Sequence, residues 1–178
     1  FLYRAAQILP ENTYILAELS THSTLAQRYL ARPGGFFKAL SGGLGMSTGG
    51  TAGVKLALPE RPMVLLIGDG SFYYNPTLSF LGVCQEYQLP VLTIVFNNGI
   101  YGAMKSIHKK YYPEGWAVAN NLYFGVNITP VPDYKKIGES FGAYSVRLED
   151  PNEIEPTLKG ALEQMAKGRS ALIDLVLD

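Results

Sequence analysis

Two nearly unbroken apolar runs, Met63–Ile67 and Leu89–Phe96, set the strongest limit on what this chain can fold into. Neither alternates between apolar and polar residues. A strand with one face in water alternates, whereas a strand covered on both faces does not. Each run stops abruptly in a polar, glycine-containing signal: Gly68-Asp69-Gly70-Ser71 after the first and Asn97-Asn98-Gly99 after the second. The chain must therefore bury a sheet between two layers and bring polar groups to its ends.

Five segments read as strands: Thr13–Leu19, Pro62–Ile67, Pro90–Phe96, Ala143–Leu148 and Ala171–Leu177. Helical candidates lie between them. Gly45–Leu58 is rich in small residues, and Asn75–Tyr87 places Leu78, Leu81 and Tyr87 at helical spacing. Tyr134–Phe141 and Asn152–Lys167 follow, the latter with Ile154, Leu158, Leu162 and Met165 on one face. Alternation of strand and helix at this pitch predicts an α/β fold, a doubly wound and mainly parallel sheet with helices on both faces. Asn75-Pro76 can cap a helix with proline at its first position, Asp150-Pro151-Asn152 can open the last helix, and Gly168 can end it. The stretch Ile107–Asp133 has no clear period and reads as a long functional loop.

With 178 residues the chain suits one domain with a substantial core. Fifteen basic and fifteen acidic residues cancel to a formal net charge of zero. Such a chain does not attract a polyphosphate backbone over long range, so no nucleic-acid partner is expected, and any bound anion must be held by local geometry. The apolar runs fall far short of the about 20 residues a bilayer crossing needs, so no membrane partner is expected either. Cys84 is the single cysteine and reads as a small buried hydrophobe. Its isolation excludes an internal disulfide and suits a reducing, cytoplasmic setting. Since the sequence opens on Phe1, residues 1–178 are expected to be one domain cut from a longer chain.

The chemistry concentrates at the two strand ends. A buried strand running into Gly68-Asp69-Gly70 carries a carboxylate to the carboxyl edge of a parallel sheet, where such folds bind ligands. The glycines let backbone approach a ligand and leave N–H groups for phosphate oxygens. A second strand end offers the amide oxygen of Asn98 to the same point. Mg²⁺ prefers a few protein oxygens together with substrate phosphates, and Asp69, Asn98 and a nearby backbone carbonyl suit it.

Gly68-Asp69-Gly70 followed by Asn97-Asn98 resembles the motif of the thiamine-diphosphate-dependent decarboxylase and acetolactate-synthase superfamily, in its C-terminal diphosphate-binding domain. The similarity extends over the whole chain, and Asn97-Asn98-Gly99-Ile100-Tyr101-Gly102-Ala103 is most like the benzoylformate decarboxylase and acetolactate-synthase-like branches. The resemblance implies that Asp69, the Asn98 side chain and the Ile100 carbonyl ligate Mg²⁺. It implies diphosphate contacts from Gly68, Gly70, Ser71, Tyr101, Gly102, Ala103 and Met104, and from the Ser20 and Thr21 hydroxyls. Gly42-Gly43-Leu44-Gly45 matches the segment that shapes the cofactor: Gly42 would accept from the 4′-amino group, Gly43 would border the rings, and Leu44 would wedge between them. The family acts on 2-keto acids, and FAD is a further cofactor in some members. The activating glutamate belongs to a separate pyrimidine-binding domain of the parent chain or a partner subunit, commonly in a homodimer or homotetramer. Glu18 lies in the strand of this domain and is not given that role. Two features depart from the family. The spacer through Phe72–Pro76 is slightly longer than in benzoylformate decarboxylase, and Met104 stands where pyruvate decarboxylase has an acid.

Rival readings are weaker. Thr48 occupies the third glycine position of a dinucleotide fingerprint in the Gly42–Gly50 cluster, and Thr51 the lysine position of a P-loop. His22 and His108 have no cysteine cluster with which to hold zinc. Gly45-Met46-Ser47-Thr48-Gly49 matches the nucleophile elbow of a serine hydrolase, with Asp69 and His108 following in order, but no buried strand leads into it. A non-catalytic cofactor-binding or assembly module is the third alternative.

Overall fold

The computed structural model describes residues 1–39 and 44–177. Six strands form one sheet: β1 (Tyr14–Glu18), β2 (Phe36–Lys38), β3 (Met63–Gly68), β4 (Val91–Asn97), β5 (Tyr144–Leu148) and β6 (Ala171–Val176). Every pairing is parallel, in the order β2-β1-β3-β4-β6-β5. The chain leaves β1 towards one edge and resumes on its other side at β3. That reversal is the topological switch point where α/β sheets open a crevice.

Burial on both faces explains the unbroken runs. Val64 and Leu66 of β3 join one core with helices α1 (Leu2–Ile8), α2 (Ser23–Leu30) and α9 (Ile154–Ala166). Met63, Leu65 and Ile67 join a second core with α3 (Ser47–Ala57), α4 (Asp69–Tyr74), α5 (Thr77–Glu86) and α8 (Tyr134–Ser140). The fold is thus the expected doubly wound sheet. Cys84 is buried in the second core, where burial pushes its thiol up to about 12. No helix among the described residues is long and apolar enough to cross a membrane.

Several expectations need correction. β2 is a sixth strand, too short and too exposed to show in the sequence pattern. Helices α1 and α2 also went unread. In α5 the buried face is Thr77, Phe80, Leu81 and Cys84, whereas Leu78 and Tyr87 face solvent. Asn75 does not cap that helix, because its side chain turns inward to Thr48 and Glu18. The stretch Ile107–Asp133 is not one loop. Its start continues α6 (Gly102–Tyr111), α7 (Trp116–Ala119) follows, and Val126 and Ile128 are buried. The last helix opens two residues later than read. The Asp150 side chain accepts from Asn152 N–H and caps a 3-10 turn over Pro151–Glu153, from which α9 continues at Ile154 without a side-chain cap. Gly168 adopts the left-handed φ of 80° past the end of α9, as expected.

Candidate functional site

At the carboxyl ends of β1, β3 and β4 lies a crevice of about 500 Å³. Its wall includes Ser20 and Thr21 after β1, Gly68–Ser71 after β3, and Asn98 with Ile100–Met104 after β4. Leu44 reaches it from the segment before α3. Every described residue expected to meet a cofactor or metal therefore borders one cavity. Gly42 and Gly43 lie outside the described residues. His22, which the sequence offered as either a phosphate contact or a solvated loop residue, also borders the cavity, and Leu19, Tyr74, Phe96 and Gly125 are walls that the sequence did not disclose. His22 packs its ring against Phe96 at 5.6 Å, and its Nδ1 is 3.1 Å from the Thr21 hydroxyl.

Asp69 is the first residue of α4 and is only 3% exposed. Its Oδ1 accepts from Gly70 N–H at 2.8 Å and its Oδ2 from Gly99 N–H at 2.6 Å. One carboxylate thus ties the β3 turn to the β4 turn. Burial pushes its pKa up, against the pull of the surrounding amides. Among the described residues no Lys or Arg pairs with it. A buried carboxylate without a counter-charge is costly unless a cation meets it.

The β4 turn places two more oxygens close by in the chain. Ile100 forms an isolated antiparallel bridge with Asn127, and the flanking bonds run from Tyr101 N–H to Val126 and from Ile128 N–H to Gly99. In this pattern the polar groups of Ile100 itself point away from the partner segment. Its N–H donates to Asn98 Oδ1 at 3.2 Å. No hydrogen bond among the described residues ends on its carbonyl. Asn97 faces the other way, donating to the fully buried Asp174 at 2.8 Å, and Arg147 pairs with Asp174 at 3.2 Å. That buried contact fixes the strand from which the turn departs.

Gly70 has a steric reason of its own. A Cβ there would lie 2.5 Å from the Tyr101 ring, so the glycine admits Tyr101 rather than only a ligand. A Cβ at Gly68 would meet nothing within 4 Å, so no protein neighbour requires glycine at that position. Among the described residues no group of three His, Cys, Asp or Glu could hold a metal. The oxygens present are one carboxylate, one amide and one carbonyl. That set suits a hard divalent ion completing its shell from phosphate, not zinc.

The hydrolase constellation is not assembled. Ser47 is buried at the start of α3 beside Glu18, Asp69 bonds to Gly70 and Gly99, and His108 is exposed on α6 with Nδ1 at the Met104 carbonyl. β2 ends at Lys38, well short of Ser47.

Fold and site together define a parallel α/β domain with a crevice at its switch point, mostly apolar and bordered by the carboxylate-bearing Asp69 and by Asn98. Residues 18–175 match the family model described as "Thiamine pyrophosphate enzyme, C-terminal TPP binding domain", and the chain belongs to that family. Acetolactate synthase isozyme 3 large subunit of Escherichia coli (strain K12) is 29% identical over 94% of this chain and 28% of its own length. Sulfoacetaldehyde acetyltransferase of Castellaniella defragrans is 27% identical over 94% of this chain and 27% of its own. Among solved structures, a Rhodococcus jostii RHA1 thiamine diphosphate-dependent 4-hydroxybenzoylformate decarboxylase superposes with a TM-score of 0.84 at 25% identity, covering 99% of this chain and 32% of that one. The chain thus spans about a third or less of the length of these relatives.

Proposed function

We propose that this chain is the diphosphate- and Mg²⁺-binding domain of a longer thiamine-diphosphate enzyme that cleaves or forms a carbon–carbon bond on a 2-keto acid. The observation that carries the proposal is Asp69: a buried carboxylate that has no counter-charge among the described residues, joined to the turn that bears the Asn98 amide and the Ile100 carbonyl, on which no hydrogen bond among the described residues ends. Asp69, Asn98 and Ile100 would hold Mg²⁺. Ser20, Thr21, Ser71 and the backbone of Gly70 and Tyr101–Met104 would hold the diphosphate, and Leu44 would set the shape of the cofactor rings. Thiamine diphosphate, when bound, supplies a nucleophilic carbon and an electron sink for the bond broken or made beside the keto group.

The residues of this chain bind and orient. The single negative charge of Asp69 would concentrate metal where phosphate must sit. Activation would come from a pyrimidine-binding domain of the parent chain or a partner subunit, in a homodimer or homotetramer. Both synthase and decarboxylase chemistry suit this arrangement.

The test is isothermal calorimetry of thiamine diphosphate with Mg²⁺ on the parent enzyme and on Asp69→Ala. Loss of the only anionic metal ligand should weaken binding by at least about a hundredfold, or about 2.7 kcal/mol. Unchanged affinity would remove the metal role of Asp69 and the proposal with it.

A further inference from the structure

Glu18 is a buried acid at the end of β1, and nothing in the proposed chemistry uses it. Its Oε2 accepts from Ser47 N–H at 2.8 Å and its Oε1 from Gly45 N–H at 3.2 Å. Oε1 also accepts from the Asn75 amide at 3.2 Å. Asn75 in turn accepts from the Thr48 hydroxyl at 2.9 Å and donates to the Ser71 carbonyl at 2.6 Å. One carboxylate therefore gathers the backbone just after Leu44 and the turn that closes α4.

The local geometry shows why a clamp is needed there. Gly45 has a φ of 112°, a conformation closed to other residues, so the chain turns sharply between Leu44 and α3. Leu44 is 42% exposed, and its side chain belongs to neither core among the described residues. Its place in the crevice must come from its backbone. The amide of Gly45, the next residue, is fixed by Glu18, and Ser47 fixes the far side of the turn. A carboxylate also suits the positive end of α3.

We infer that Glu18 is a positioning residue: by clamping the Gly45 and Ser47 amides it holds Leu44 in the crevice, and through Asn75 it locks that wall to α4. This inference rests on the proposed role of Leu44 as the shaper of the cofactor.

The test is a double-mutant cycle in the full-length holoenzyme, with turnover measured at saturating Mg²⁺ and thiamine diphosphate. Glu18→Gln presents an amide N–H₂ to at least one of three donors and should lower turnover about tenfold or more, with cofactor affinity changed less than about tenfold. In a Leu44→Ala background the same substitution should cost almost nothing further. Glu18→Asp keeps the charge but shortens the reach. It should show the same dependence on Leu44 and supplies the answer where Glu18→Gln does not fold. Losses that multiply with those of Leu44→Ala would overturn the inference, as would a pH–turnover profile that loses a limb in Glu18→Gln, since Glu18 would then carry a proton. Full turnover in Leu44→Ala alone would instead overturn the reading of Leu44.

Discussion

Glu18 ends β1 and Asp69 directly follows the neighbouring β3, yet their acidities move in opposite directions. Burial raises both. At Glu18 the hydrogen bonds from Ser47, Gly45 and Asn75 outweigh burial and hold the carboxyl below its ordinary value. At Asp69 burial wins, which leaves a charge that a cation would compensate. The sign for stability follows from linkage. Glu18 binds its proton less readily in the folded state than in the unfolded one. Its contribution is complete above the unfolded glutamate value of about 4.3 and is lost as pH falls through the lower folded value. Glu18→Gln should therefore lower stability near neutral pH by about 1–2 kcal/mol. The gap to wild type should shrink in acid, read as urea midpoints against pH. A constant gap across that range would show that the ionised clamp contributes nothing. The neighbouring pair Asp174 and Arg147 is structural by contrast, since it supports Asn97 from behind the turn.

At the scale of elements, strands and turns were readable where one physical demand dominated. β3 and β4 had to be apolar throughout because helices cover both faces, and their polar ends had to be the site because parallel sheets expose those ends. β2 escaped because a three-residue edge strand needs no such pattern. The Glu18–Asn75 contact escaped because residues 57 positions apart meet only through the fold. Asn75-Pro76 looked like a helix start for the same reason: a local signal was overruled by a distant acid. The Ile107–Asp133 stretch was half legible. Its aromatic, proline-rich tip lacks a buried face, as read, and α6 and α7 have no buried residue. Its returning segment is anchored, however, by Ile128 N–H on Gly99 and by Tyr101 N–H on Val126. Hydrogen exchange on the parent enzyme should be fast over Tyr111–Phe124 and slow at Ile128. Adding Mg²⁺ and thiamine diphosphate should slow the first segment as it closes on the crevice. Exchange there that is already slow without ligand would contradict a closing element.

For the molecule as a whole, the described residues form one six-stranded sheet between two cores, and large aromatic side chains remain on the surface. Tyr73, Tyr74 and Phe124 are 62%, 68% and 80% exposed, and Trp116 stacks on Phe124 in solvent. An aromatic surface of this kind suits burial against further protein. Residues 1–178 alone should accordingly fold, with a tendency to self-associate, and should not turn over pyruvate or benzoylformate even with saturating Mg²⁺ and thiamine diphosphate. The group that activates the cofactor and the pocket that orients a keto acid would both be missing. Enzyme-like turnover by this chain would show that the activating acid lies within it. The most direct test of the central claim is the position of the metal. Crystals of the parent enzyme grown with Mn²⁺ and thiamine diphosphate should show one anomalous peak in the crevice, with Asp69, the Asn98 amide oxygen and the Ile100 carbonyl at about 2.1 Å and diphosphate oxygens completing the shell. A peak that excludes Asp69, or diphosphate bound there with no metal, would contradict it.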